Sequence, residues 1–154
     1  MTLIVDASVA VKWVQRENLS EQAIDLFQSD QAILAPDLIV SEIANVLWKR
    51  SRKGQIHGAR VGDLLRTATR DPLVLLPTAA LVPRALELAV ELDHPVYDCV
   101  YLAAAEQHDA VLVTADAEFL TAVCRSRYKS LAAHFSHTAT TRNQWGQTRL
   151  TRVD

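Results

Sequence analysis

The chain has little of what organises small secreted or redox-active domains: its 154 residues include two cysteines, four glycines, five prolines and one methionine. Cys99 and Cys124 show neither CxxC nor metal-ligand spacing, which argues against a disulfide framework or a zinc module and leaves reduced, structural thiols. His134 and His137 are close but open a polar tail, and His57, His94 and His108 are scattered, so the histidines offer no zinc site either. No apolar run approaches the ~20 residues of a membrane span. Met1-Thr2-Leu3 lacks the basic start and cleavage region of a signal peptide, so a cytoplasmic setting is expected. With 49% apolar residues and a mean hydropathy of +0.05, neither a disordered nor a fibrous chain fits. The length suits one soluble domain that buries about two thirds of the surface its unfolded form exposes.

Net charge is also nearly missing, at −2, but the signs are segregated. Residues 1–48 carry seven acids against Lys12 and Arg16, and residues 49–70 carry seven bases against Asp63. Residues 71–118 then have nine acids against Arg84, and residues 119–154 six bases against Asp154. An acidic centre flanked by basic surface would produce this pattern and would suit a metal site that handles a polyanion. Solvated helix faces would produce it too.

The spacing of apolar residues alternates between short runs and helical stripes. Ile4 and Val5 read as a strand, Ala7 to Gln15 as a short helix, and Ser20 as the cap of a second helix with Ala23, Ile24, Leu26 and Phe27 as its buried stripe. Ala32 to Ala35 is a second strand, ended by Pro36. A long helix from Asp37 carries Ile39, Ile43, Val46 and Leu47, until Gly54 stops it. Gln55 to Arg70 predicts another helix, and Leu73 to Leu76 a buried parallel strand. Helices follow at Arg84 to Leu92, with Pro83 in the first turn, and at Val96 to Gln107 after Pro95. Ala110 to Val113 is a further buried strand, Asp116 to Arg125 a helix, and Leu131 to Phe135 a last edge strand. Strands that are apolar throughout and alternate with helices predict an α/β class, a three-layer α/β/α sandwich around a central parallel sheet. Residues 1–135 form the domain, and 136–154 is a polar, basic tail without an assigned role.

In such sheets ligands bind beyond the carboxyl ends of the strands, where the strand order reverses. Asp6 and Asp116 both stand there, each directly after a strand and followed by small residues. Alone, either is as readily a helix cap. Asp98 lies in the largely apolar stretch Val96 to Ala105 and Glu42 in Leu38 to Trp48, with no lysine or arginine one turn from Asp98 to offset its charge. Carboxylates that converge without cations repel one another unless a positive ion lies between them. Hard divalent ions with oxygen ligands meet that need and act on phosphodiesters by activating water and neutralising the leaving oxygen.

Four segments, LIVDASVAVKW, SEIANVLWK, HPVYDCVYLAAAE and LVTADAEF, resemble in order and spacing the PIN-domain ribonucleases, in particular the VapC-type toxins of bacterial and archaeal toxin–antitoxin systems. They span residues 3 to 119. The resemblance implies a PIN-like fold and a metal-dependent endoribonuclease, with Asp6, Glu42, Asp98 and Asp116 as the acidic quartet that holds Mg²⁺ or Mn²⁺ and orients the attacking water. The implied products carry a 5′-phosphate and a 3′-hydroxyl. A homodimer bound to a small VapB-like antitoxin is implied as well.

Other positions are candidates from the residues alone. Ser8 and Thr114 offer hydroxyls near the acids, and equally cap or turn bonds. Asn45, one turn from Glu42, faces the cleft or the solvent. Lys12, Arg16, Lys49 and Arg50 are candidate contacts for RNA phosphates, or solvated surface. Tyr97 and Tyr101 flank Asp98, with Tyr101 expected in the core. Two related readings stay open: a PIN nuclease of housekeeping RNA processing, and a non-catalytic PIN scaffold. A gene for a small DNA-binding protein directly upstream would mark the toxin. A haloacid-dehalogenase-type phosphatase would need an aspartate where Ser8 stands, and a receiver domain one where Pro77-Thr78 follows the third strand.

Overall fold

A computed structural model of the protein describes residues 1–28 and 30–135, so the expectation for the polar tail lies outside the described residues. In chain order the elements are β1 (Thr2–Val5), α1 (Ala7–Ala10), α2 (Ser20–Phe27), β2 (Ala32–Pro36), α3 (Leu38–Arg52), α4 (Val61–Ala68), β3 (Leu73–Leu76), α5 (Thr78–Leu92), α6 (Val96–Gln107), β4 (Val111–Thr114), α7 (Ala117–Cys124) and β5 (Ala132–His134). Short 3₁₀ turns at Val11–Trp13, Gly58–Arg60 and Lys129–Leu131 join them.

The five strands form one parallel sheet in the order β3-β2-β1-β4-β5. From β1 the chain steps outward through β2 to β3, then crosses to the other side of β1 for β4 and β5. Right-handed crossovers place helices made while stepping in opposite directions on opposite faces of the sheet. The result is the expected α/β/α sandwich, and the order reverses between β1 and β4. Those strands are neighbours, with Val5 level with Val113. Leu3, Ile4, Val5, Leu112 and Val113 have no exposed surface, each worth roughly 1.5–3 kcal/mol of burial. From the other layers Ile39, Ile43, Leu88 and Leu102 are equally buried.

Several local expectations change. Leu73 to Leu76 is a parallel strand but an edge one, and Val74 and Leu75, on opposite faces of the pleat, are 52% and 39% exposed. An apolar run cannot distinguish a central strand from an edge whose cover is incomplete. Ser20 is not a cap: Leu19 holds that position in the left-handed region (φ 66°), while the buried Ser20 hydroxyl donates to the Gln15 carbonyl and accepts from the Glu17 N–H. The stretch 55–70 is helical only from residue 58 onward, a single 3₁₀ turn leading into α4. The Arg84–Leu92 helix starts earlier, at Thr78, so Pro83 lies inside α5 rather than in its first turn. Gly54 ends α3 as expected: at φ 70° it lets its own N–H reach the Ser51 carbonyl and that of Gln55 reach Arg50, closing the last turn. Among the described residues no helix is long and apolar enough to cross a membrane.

Candidate active site

The carboxyl ends of β1 and β4 carry the centre of the site. Asp6 leaves β1 and caps α1, its Oδ1 accepting from the Val9 N–H at 3.1 Å and from the Ser8 hydroxyl at 2.6 Å. Its Oδ2 accepts from the hydroxyl of Thr114, the last residue of β4, which is fully buried. The same Thr114 oxygen accepts from the Asp116 N–H at 2.9 Å, and Ser8 Oγ accepts from the Ala115 N–H at 3.0 Å. Ser8 and Thr114 therefore stitch the two strand ends together and fix Asp6 between them. Asp116 caps α7, with Oδ1 accepting from the N–H groups of Glu118 (2.9 Å) and Phe119 (3.0 Å). The helix-cap reading of Asp6 and Asp116 holds, and it does not exclude a role in the site. Capping uses mainly one oxygen of each carboxylate.

Two helices complete the arrangement. Glu42, half-buried on α3, accepts a hydrogen bond from the hydroxyl of Tyr101 on α6. Tyr101 is buried, as expected for a core residue, but its hydroxyl serves Glu42, a contact 59 residues away in sequence. Asp98, in the first turn of α6, has its Oδ2 3.0 Å from His94 Nε2. His94 is in turn stacked on Phe119, with ring centroids 4.7 Å apart and planes at 26°. The offset for Asp98 thus comes from a histidine four residues earlier, not from lysine or arginine.

The electrostatics tie the four acids into one group. Burial raises the pKa of Asp6; bonds from Ser8, Thr114 and Val9 oppose the rise, and repulsion by Asp116 adds to it. Burial likewise raises Glu42, opposed by the Tyr101 bond and reinforced by the charges of Asp6 and Asp98. Asp98 is raised by burial, opposed by His94, and reinforced by Asp116 and Glu118. The Tyr101 phenol is pushed far above its usual range by burial first and then by the neighbouring Glu42 charge, so it stays a hydrogen-bond donor. Glu118 is a fifth acid within reach, two residues beyond Asp116, and its position in the first turn of α7 was the signal for it.

Among the described residues no group of three or more His, Cys, Asp or Glu side chains is already arranged to hold a metal ion. The donor chemistry nevertheless fits a hard divalent cation. The acids offer oxygen only, and neighbouring carboxylate charges help to raise the pKa of Asp6, Glu42 and Asp98. Mg²⁺ is commonly held by one or two carboxylates while keeping several waters, which does not demand a closed protein shell. The residues available to it are Asp6, Asp98 and Asp116, with Glu42 beside them.

The basic candidates divide. Lys12 and Arg50 both grip Glu17, at 2.9 and 2.6 Å, and their side chains are only 13% and 24% exposed. That ion-paired triad ties the end of α3 to the turn after α1. Arg16 and Lys49 are exposed, and so is Asn45.

A family model for the PIN domain matches residues 3–123. Ribonuclease VapC3 of Pyrobaculum aerophilum is 32% identical over 118 residues, covering 75% of this chain and 90% of that protein. The structure of Mycobacterium tuberculosis VapC20, a sarcin-ricin loop cleaving toxin, superposes with a TM-score of 0.60 at 15% identity over 78% of this chain and 94% of that one. VapBC2 from Rickettsia felis, bound to a DNA fragment from its promoter, superposes at 0.63 and 16% identity, over 87% and 98% of the two chains. At those identities the two structures speak for the fold.

Proposed function

The chain belongs to the PIN-domain family, and from that premise we propose that it is an Mg²⁺- or Mn²⁺-dependent endoribonuclease, the toxin of a type II toxin–antitoxin pair. The observation that carries this reading is the convergence of Asp6, Glu42, Asp98 and Asp116, from four separate segments, within electrostatic reach of one another at the point where the strand order reverses. A binding scaffold has no use for mutual repulsion of that kind. When bound, the divalent ion supplies an activated water and neutralises charge on the leaving oxygen. The protein's own part is placement. Ser8 and Thr114 hold Asp6, Tyr101 holds Glu42, and His94 holds Asp98, so the carboxylates that would take the ion and orient the water do not have to be organised during the reaction. Hydrolysis from that arrangement leaves a 5′-phosphate and a 3′-hydroxyl.

The partners in this proposal are an RNA substrate, a VapB-like antitoxin and a second copy of the chain. The names of the VapC relatives and of the VapBC2 complex support the antitoxin. A gene for a small DNA-binding protein immediately upstream, whose product co-purifies with this chain, is the expected finding; its absence would favour housekeeping RNA processing.

The dimer has support on α5, where Val82, Leu86 and Val90 form an exposed row at helical spacing, 40%, 55% and 78% exposed. The acids beside that row are already paired, Glu87 with Arg84 at 2.7 Å and Glu91 with Arg127 at 2.6 Å, so an antiparallel copy would meet no uncompensated charge. Sedimentation should give twice the monomer mass, and Leu86→Glu should return the monomer with its fold intact. A monomeric wild type would remove the dimer from the account.

Incubating the purified, partner-free protein with total RNA tests the activity itself. Cleavage is expected only with Mg²⁺ or Mn²⁺, and to be lost in Asp98→Asn.

A further inference from the structure

Resting on the ribonuclease reading, we propose that the outer face of α3 is a subsite for single-stranded RNA beside the cut, with Trp48 as a stacking platform for one base and Lys49 and Arg52 as its phosphate contacts. Trp48 is 54% exposed, unusual for a large aromatic that normally hides most of its surface. Trp13, by contrast, packs against Phe27 with centroids 4.4 Å apart. Residues three and four apart share one side of a helix, so Glu42, Asn45, Lys49 and Arg52 form a single row along α3, with Trp48 at its margin. Ile39, Ile43 and Leu47 form the buried stripe of the helix, which adjoins the row at Glu42 and turns away from Trp48, Lys49 and Arg52. From Glu42 to Trp48 the rise is about 9 Å along the axis and the turn about 120° around it, a path that a few nucleotides of one strand can follow.

The charge on this face matches a phosphodiester strand. No acid occurs between Glu42 and Asp63. Among the described residues Lys49, Arg52 and Lys53 enter no salt bridge, whereas Arg50, on the inner side, is held by Glu17. The Arg52 guanidinium lies 5.7 Å from the centre of the Trp48 ring, so a planar cation and an indole face come as one unit, and both stack on bases. A protein partner held by apolar contact would find better surface on α5 and β3, where the exposed aliphatic side chains gather. Here one aromatic stands among polar and cationic residues, the combination used for binding single strands.

The test uses full-length protein carrying Asp98→Asn, so that RNA is bound without being cut, and a fluorescein-labelled single-stranded RNA of mixed sequence followed by anisotropy over a range of salt. Adding Trp48→Ala should weaken binding on the order of tenfold to a hundredfold with an unchanged salt slope, and Trp48→Phe should restore most of it. Lys49→Ala should reduce the salt slope by about 0.7. Binding by Trp48→Ala within about twofold of its parent would overturn the subsite and leave the ribonuclease reading standing. No RNA binding by the parent, together with no cleavage by wild type, would overturn both. A change of sedimenting mass in Trp48→Ala with RNA affinity unaltered would make this face a protein interface and contradict the inference.

Discussion

Asp6→Asn should lower RNA cleavage on the order of a thousandfold while raising the melting temperature of the metal-free protein. Both effects follow from one feature. The Asp6 carboxyl keeps its proton more readily than in an unfolded chain because burial, helped by Asp116, outweighs the bonds from Ser8, Thr114 and Val9. A raised folded-state pKa means that the folded protein binds the proton more tightly than the unfolded chain. The stability gained from that proton is complete below the unfolded value of 3.8 and is lost as pH rises through the folded value. At neutral pH the ionised Asp6 therefore costs stability, and asparagine removes the charge while leaving an oxygen to accept from Val9. A rise of roughly 2–5 °C is expected, the ordinary scale for relieving a destabilised functional group. Thermal denaturation in the presence of a chelator, beside a cleavage assay, reads both. A variant that cleaves like wild type would remove Asp6 from the site, and one less stable than wild type would mean that the lost Thr114 bond outweighs the relieved charge.

Divalent metal should stabilise the wild type as well, by offsetting the charge that asparagine removes. An ion that binds only the folded protein adds about 2.7 kcal/mol at a hundred times its dissociation constant, which for a domain of this length is roughly 5–10 °C in melting temperature. Mg²⁺ and Mn²⁺ should both produce the rise, and Ca²⁺, which prefers more ligands at longer distances, a smaller one. The shift should vanish in Asp6→Asn and return to baseline with excess chelator. A metal-induced shift of equal size in wild type and Asp6→Asn would place the ion elsewhere.

The helix Val96–Gln107 was legible in the sequence to the residue, because Pro95 fixes its start and an apolar run its body. The strands around Asp6 and Asp116 were legible for a similar reason, since uninterrupted aliphatic runs break at a charged residue. Where packing decides, the sequence was silent. Leu73 to Leu76 is as apolar as the central strands yet lies at the edge, since its position depends on which strand it pairs with. Asp98 and Glu42 stand out because their surroundings are wrong for a charge, and Asp6 and Asp116 because they end apolar runs, whereas the groups that bond to them give no such sign. Tyr101 looks like any core tyrosine until α3 and α6 meet, and His94 looks unattached until α6 winds one turn and brings Asp98 beside it. The shared partner of Lys12 and Arg50 was hidden in the same way. Glu17 lies five residues from one and thirty-three from the other, so their mutual partner appears only when the chain closes.

Asp98→Asn offers the most direct test of the central claim, because His94 can still meet the amide oxygen and the helix is undisturbed, leaving the charge as the main difference. Purified free of any partner, wild type and Asp98→Asn are incubated with total RNA, with and without Mg²⁺ or Mn²⁺, and the new ends are mapped. The account predicts 5′-phosphate ends that appear only with wild type and only with metal; equal cleavage by Asp98→Asn, or cleavage indifferent to a chelator, would contradict it.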